Sequence, residues 1–160
     1  MSKEVVKGLA KFGLLVVMTM IAAVASSKAQ SLEYKLTANI PFDFTVGEKK
    51  LTAGEYSVGR AQQSAGDLMI KISSADEHSN VTRLTFAVTT RDPQDKARLV
   101  FHRYGNEYFL SEIWPAGGAT GRELPKSRPE RELQQRVNDP GIAAMKAPGA
   151  ETVTIVVNQR

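Results

Sequence analysis

The side chains best suited to chemistry are two histidines and a few acids, and the histidines lie in different settings. His78 follows Asp76 and Glu77 in a polar segment, which is typical of a solvated turn. His102 lies in an aromatic segment, where it could serve as a ligand or proton donor but is more often satisfied by a backbone group or a neighbouring acid. The chain has no cysteine and no HxH or HExxH spacing. We therefore predict neither a metal site nor a cofactor.

Glu112 lies in the same aromatic segment, at a position that side-chain alternation along a strand places on the apolar face. A buried carboxylate must be paired or have a raised pKa, and a raised pKa is how general acids arise. A glycosidase needs a second carboxylate about 5 to 9 Å away, but the spacing of the other acids (Asp43, Glu107 and Glu123) selects none of them. A salt bridge to an arginine, or a solvent-exposed position at the end of the hairpin, explains the placement of Glu112 better than a catalytic role does. We predict that the protein is not an enzyme, with a hydrolase using Glu112 as the weaker alternative.

The position of these groups depends on residues 99–114, LVFHRYGNEYFLSEIW, which hold five of the chain's eleven aromatic residues. Two runs of strand-forming residues around Gly105-Asn106 predict a β-hairpin with a II′ turn, because glycine takes the positive φ required at its first position. We expect this hairpin at the centre of the sheet. Tyrosine and arginine are enriched in binding hot spots, so the candidate ligand or partner contacts are His102, Arg103, Tyr104, Tyr108 and Glu112.

A two-residue loop fixes the hairpin register, pairing Tyr104 with Glu107 and, farther along, Leu99 with Glu112. The predicted core face then carries Leu99, Phe101, Tyr108, Leu110 and Trp114, with Arg103 and Glu112 among them. The opposite face carries Val100, Tyr104, Phe109 and Ile113 beside Arg98, His102, Glu107 and Ser111. The second face is too apolar for open water and too polar for a dry core. We therefore expect another element to cover part of it.

Period-two alternation predicts further strands along the chain. It is clearest over residues 36–46, where even positions are apolar and odd ones mostly polar, and where Pro41 marks an edge or a bulge. Similar patterns recur near residues 56–58, 68–72, 84–88 and 153–157. Short strands without intervening helical patterns predict a mainly β fold, a single antiparallel β-sandwich or barrel of about seven strands.

One short helix is predicted after the hairpin. Ser127 and Glu130 have the spacing of a capping box, and Pro129 lies in the first turn, where its missing N–H does no harm. The helix should run over residues 128–137. Because so short a helix is marginal alone in water, we expect it to dock on the hairpin face that contains Phe109 and Ile113.

The first 29 residues are predicted to be a signal peptide. Lys3, Lys7 and Lys11 form a basic start, and the uncharged apolar stretch of residues 13–25 is short for a membrane span, which needs about 20 residues. After cleavage following Ala29, we expect a secreted or periplasmic protein with no stable membrane span.

The remaining chain is predicted to hold a β domain over residues 30–137, a flexible loop over 138–150 and a C-terminal strand over 151–160. Beyond residue 29 there are 17 basic and 16 acidic residues. The charge balance therefore gives no support for nucleic-acid binding, which needs a clustered basic face.

Three segments together resemble a functionally uncharacterised family of small secreted proteins of Gram-negative soil bacteria. They are IPFDFTVGEKKLTAGEY (40–56), LVFHRYGNEYFLSEIW (99–114) and GRELPKS (121–127). The resemblance covers roughly residues 36–130 and implies an exported β domain, with no activity or site residues to carry over.

The function expected from these patterns is a non-enzymatic interaction or structural module of the periplasm or cell exterior. A cell-envelope protein or a glycan is the expected kind of partner. The alternative is a carrier, in which the strands close into a barrel around a small apolar ligand.

Overall fold

The structure, a computed structural model, describes residues 35–61, 68–137 and 150–159. These residues form twelve strands and one helix. The strands are β1 Leu36–Ile40, β2 Phe44–Val46, β3 Lys49–Leu51, β4 Gly54–Arg60, β5 Met69–Ser74, β6 Asn80–Leu84, β7 Phe86–Thr89, β8 Arg98–Tyr104, β9 Glu107–Trp114, β10 Thr120–Glu123, β11 Glu151–Val156 and β12 Asn158–Gln159; the helix is α1 Arg128–Val137. The predicted signal peptide and most of the predicted flexible loop lie outside the described residues.

The strands form two sheets. Sheet A has the order β12-β1-β4-β5-β6, and sheet B has the order β11-β8-β9-β10-β7, with the β2–β3 hairpin joined to β9. The mainly β prediction is confirmed. The predicted number of about seven strands is wrong, because the described residues hold twelve. Of the two predicted architectures, sandwich or barrel, the described strands do not form the barrel.

The core lies between the two sheets and is filled by side chains. Aromatic rings join the layers, since Phe44 of sheet B meets Tyr56 of sheet A edge to face at 5.0 Å and meets Phe101 at 5.7 Å. The inward side chains are almost fully buried. From sheet A these include Leu36, Ala38, Ile40, Val58, Ile70 and Ile72, and from sheet B Leu99, Phe101, Leu110 and Ile113.

The predicted strand over residues 36–46 is interrupted at Pro41, and its two halves belong to different sheets. β1 pairs with β4 in sheet A, whereas β2 pairs with β3 in sheet B. Proline has no N–H to continue a ladder, so a break at this position is expected. The even positions 36, 38, 40, 44 and 46 are nevertheless all buried, which confirms the alternation that marked this segment.

The hairpin of β8 and β9 has the predicted turn. Gly105 has a φ of 64°, and Asn106 does not adopt a positive φ, as a II′ turn requires. The ladder pairs Tyr104 with Glu107 and Phe101 with Leu110. The register then shifts, and Leu99 pairs with Ile113 instead of Glu112.

A β-bulge at Ser111 causes this shift, since Ser111 has no cross-strand partner of its own in the β8–β9 ladder. A bulge puts two residues of one strand opposite one residue of the other, so alternation beyond it is inverted. The core assignment of Glu112 and Trp114 is therefore wrong. Ile113, predicted to face outward, is fully buried in the core.

The helix α1 occupies the predicted residues 128–137. In the C-terminal segment, β11 joins sheet B beside β8 and β12 joins sheet A beside β1, with buried Val157 between them. Within the described residues, no helix has the length and apolar character needed to cross a bilayer.

Candidate functional site

The outer face of sheet B, meaning the side of β8 and β9 turned away from the core, holds most of the chemically versatile side chains. It carries Val100, His102, Tyr104, Phe109, Ser111, Glu112 and Trp114. The helix α1 packs against β8 and brings Glu130 onto this face. The helix thus docks on the predicted outer face, and a groove of about 400 Å³ remains between Phe109 and the helix residues Pro129 and Leu133. Ile113, predicted to lie on this face, is instead buried in the core.

His102 is the centre of a hydrogen-bonded network of four side chains. Its Nδ1 lies 2.7 Å from Oε1 of Glu130, and its Nε2 lies 3.2 Å from Oγ of Ser111. The hydroxyl of Tyr104 donates to the same Glu130 oxygen at 3.4 Å. Ser111, Tyr104 and Glu130 are each about 4% exposed. We call these four residues the His102 network.

Two local features of the sequence build the His102 network. Side-chain alternation puts Ser111 on the outer face, and the bulge leaves it beside His102 without a cross-strand partner of its own. The first turn of α1 places Glu130, whose N–H donates to Oγ of Ser127 at 3.3 Å in the manner of an N-cap. A full capping box would also return the Glu130 side chain to Ser127. Here its carboxylate binds His102 and Tyr104.

The network fixes the tautomer of His102. A carboxylate can only accept hydrogen bonds, so Nδ1 carries the proton that is shared with Glu130. In a neutral imidazole Nε2 is then an acceptor, and the Ser111 hydroxyl donates to it. This order of hydroxyl, imidazole and carboxylate is that of an activated serine nucleophile. Ser111 is buried, however, and the same order also serves to tie α1 to the sheet.

Burial and the neighbouring Glu130 carboxylate raise the pKa of the Tyr104 phenol. The folded protein thus holds the phenolic proton more tightly than the unfolded chain. The corresponding stabilisation is fully present below about pH 10 and is lost as the pH rises through the folded-state pKa.

Tyr104→Phe should therefore flatten the alkaline limb of the stability profile. We expect the free energy of unfolding of the wild type to fall more steeply than that of the variant above about pH 10. Urea titrations from neutral to alkaline pH measure both curves. Parallel curves would show that Tyr104 does not titrate differently in the folded and unfolded states.

Glu112 forms a second cluster on the outer face, at the far end of the hairpin. Its Oε2 accepts a 2.7 Å hydrogen bond from the indole Nε1 of Trp114, and the guanidinium of Arg98 lies 5.3 Å from the Trp114 ring. Trp114 packs so closely on Gly121 that a Cβ there would come within 2.7 Å of the ring. Glu123, one of the three acids considered from the sequence, is the cross-strand partner of Glu112.

Arg103 and Tyr108 lie on the opposite side of the hairpin, near its turn. The Tyr108 ring stacks on Phe42 with a centroid separation of 3.8 Å and an angle of 15°. The guanidinium of Arg103 lies 5.5 Å from the Tyr108 ring. Arg103 also donates to the carbonyl of Gly105 at 2.8 Å and pairs with Glu151 at 3.3 Å. We call Phe42, Tyr108 and Arg103 the hairpin stack.

The five predicted contact residues thus do not form one site. His102 and Tyr104 belong to the His102 network, and Arg103 and Tyr108 belong to the hairpin stack. Glu112 lies apart from both, beside Trp114 and Arg98. Sequence reasoning did not identify Ser111 as a hydrogen-bond partner of His102, so it missed the order of hydroxyl, imidazole and carboxylate. It assigned Glu130 only a capping role. Across the described ranges, no three His, Asp or Glu side chains converge to hold a metal ion.

No protein-family model, curated protein or solved structure matches the chain.

Proposed function

We propose that this protein is an exported, non-enzymatic interaction module of the periplasm or cell exterior, and that the hairpin stack is its contact surface. The observation that carries the proposal is the ordered, half-buried stack of Phe42, Tyr108 and Arg103. Tyrosine and arginine are enriched among residues that dominate protein interfaces. The stack presents both from a rigid hairpin.

Pre-organisation strengthens this interpretation. Arg103 is held by the Gly105 carbonyl, by Glu151 and by the Tyr108 ring. Fixing long side chains before binding removes an entropic cost of roughly 0.5–1.5 kcal/mol for each of them. A partner that offers a carboxylate and an apolar patch would match this surface.

The His102 network is assigned a structural role in this proposal. It joins α1 to β8 and β9 through buried groups that satisfy one another. A buried donor or acceptor without a partner costs about 1–3 kcal/mol. The network therefore stabilises the docked helix without contacting a partner.

The proposal is tested by capture of partners from a cell-envelope extract of the host. Tyr108→Ala and Arg103→Ala should each reduce the recovery of a specific partner by about tenfold, since a hot-spot residue contributes more than 1 kcal/mol. Arg98→Ala is the matched control, because Arg98 forms the other cation–π pair, with Trp114, at the opposite end of the hairpin.

Circular dichroism of each variant separates lost binding from lost folding. Tyr108→Phe keeps the stacking ring and should retain capture. A partner recovered equally by the wild type and by both folded alanine variants would contradict the assignment of the hairpin stack, as would the absence of any partner.

A serine hydrolase is the second candidate, and the distances within the His102 network favour it over a hydrolase that uses Glu112. In that case a fluorophosphonate probe labels Ser111 of the native protein, and Ser111→Ala or His102→Ala abolishes labelling. Ser73→Ala is the matched control, because Ser73 lies on sheet A and outside the network. An unlabelled wild type would remove this candidate.

The carrier alternative has less support. A carrier needs room for its ligand between the sheets, whereas Leu36, Phe101 and Ile113 from both layers are fully buried against one another. Native mass spectrometry of the protein purified from its host should give the bare mass of the chain.

A further inference from the structure

The outer face of sheet A, on the side opposite the core, holds a groove of about 600 Å³. Its floor is a row of short polar side chains that are directly paired across four strands. Thr37 pairs with Ser57, Ser57 with Ser73, and Ser73 with Asn80. Neighbouring strands are about 4.8 Å apart. The row therefore presents three hydroxyls and one amide at regular intervals, each able to donate and accept hydrogen bonds.

The two ends of this groove carry opposite charges. At one end Lys71 pairs with Gly59, and Lys35 precedes the Leu36–Val58 pair, which places it on the other side of Gly59. At the other end are Glu55 and Glu77. The carbonyl of Glu55 accepts a hydrogen bond from the N–H of Ala75, so the turn that carries Glu77 lies beside Glu55.

Gly59 lies between the two lysines in the middle of β4. Glycine weakens a strand interior and often marks a place where a ligand or another backbone approaches closely. Within residues 35–61, 68–137 and 150–159, neither lysine ammonium group forms an ion pair or a hydrogen bond.

We infer that this groove binds a carboxylated oligosaccharide. The carboxylate of a uronic acid unit lies between Lys35 and Lys71, and the sugar hydroxyls exchange hydrogen bonds with the row of Thr37, Ser57, Ser73 and Asn80. Hydroxyls at the far end donate to Glu55 and Glu77. Two observations favour a sugar over an apolar ligand. The floor is hydroxylated, and among the described residues that line the groove the only aromatic side chain, Tyr56, is buried in the core.

This inference is independent of the proposed function, because the groove lies on sheet A and the hairpin stack lies on sheet B. Failure of one does not affect the other. Variants of the groove should leave partner capture unchanged, and Tyr108→Ala should leave sugar binding unchanged.

The test is isothermal titration of the full chain with a galacturonate hexamer and, separately, with the neutral cellohexaose. The acidic hexamer should bind and the neutral one should bind at least about tenfold more weakly, because only the acidic hexamer offers carboxylates for charge-assisted hydrogen bonds with the two lysines. Affinity for the acidic hexamer should fall as salt is raised, since exposed charges are screened.

Lys71→Gln should weaken binding of the galacturonate hexamer by about tenfold. Lys96→Gln is the matched control, because Lys96 is exposed outside the groove, and it should bind as the wild type does. The double variant Ser57→Ala and Ser73→Ala tests the floor and should also weaken binding. The inference is overturned if neither hexamer binds, if both bind equally, or if Lys71→Gln binds like Lys96→Gln.

Discussion

Leu110→Asp is expected to prevent the β domain from folding. The Leu110 side chain is 4% exposed and belongs to the core between the sheets. The substitution removes the burial of a leucine and places an unpaired carboxylate in an apolar interior, at a combined cost of several kcal/mol. Domains of this kind are stable by only about 5–15 kcal/mol. Urea denaturation followed by circular dichroism should show a greatly reduced or absent cooperative transition.

Leu84→Asp is the matched control, since Leu84 is also a strand residue but is 48% exposed. A surface substitution of this kind is expected to change stability by about 0.5 kcal/mol or less. If Leu110→Asp melts like the wild type, Leu110 does not face the core and the assignment of the hairpin faces is wrong.

Ile113→Asp is expected to be as damaging as Leu110→Asp, and this expectation depends directly on the bulge. Ile113 is fully buried and pairs with Leu99, also fully buried. An uninterrupted ladder would instead put position 113 on the outer face, where an aspartate is tolerated. The loss should again be several kcal/mol, measured by the same urea titration.

Val156→Asp provides the control for Ile113→Asp, because Val156 is a β-branched strand residue that is 61% exposed. It should stay within about 1 kcal/mol of the wild type. A folded Ile113→Asp protein with native stability would show that the hairpin has no bulge at Ser111.

The bulge at Ser111 accounts for the main difference between the predicted hairpin and the observed one. The turn at Gly105-Asn106 and the first pairs of the ladder could be predicted, because local residue types determine turn geometry. The bulge could not, since no residue of SEIW signals it. It accompanies contacts with other elements, since Ile113 is buried in the core between the sheets and Trp114 packs on Gly121 of β10.

At Pro41, too, the local sequence predicted some features, and distant parts of the chain determined the others. Alternation correctly predicted which side chains of residues 36–46 are buried, and proline correctly marked an irregular position. Which sheet each half joins depends on distant partners, β4 for the first half and β3 for the second. Such pairings have no signal within the segment itself.

For the candidate site, His102 was predicted to be satisfied by a backbone group or an acidic group, and the structure shows the acidic one, which the sequence could not identify. Glu130 lies 28 positions along the chain from His102. Its local pattern predicted a capping role, and in the structure only the backbone N–H of Glu130 takes part in the cap. The carboxylate binds His102 and Tyr104 because the docked helix offers it buried partners there.

The pairing of β1 with β12 has a consequence for the order of folding. Leu36 lies opposite Gln159, so an edge of sheet A forms from segments at opposite ends of the described chain. Contacts of such long separation slow folding, because a large loop must close before they stabilise anything. We expect sheet A to be completed late, after the β8–β9 hairpin, whose contacts are local. A ribosome-bound chain that lacks β12 would then remain a partly ordered intermediate.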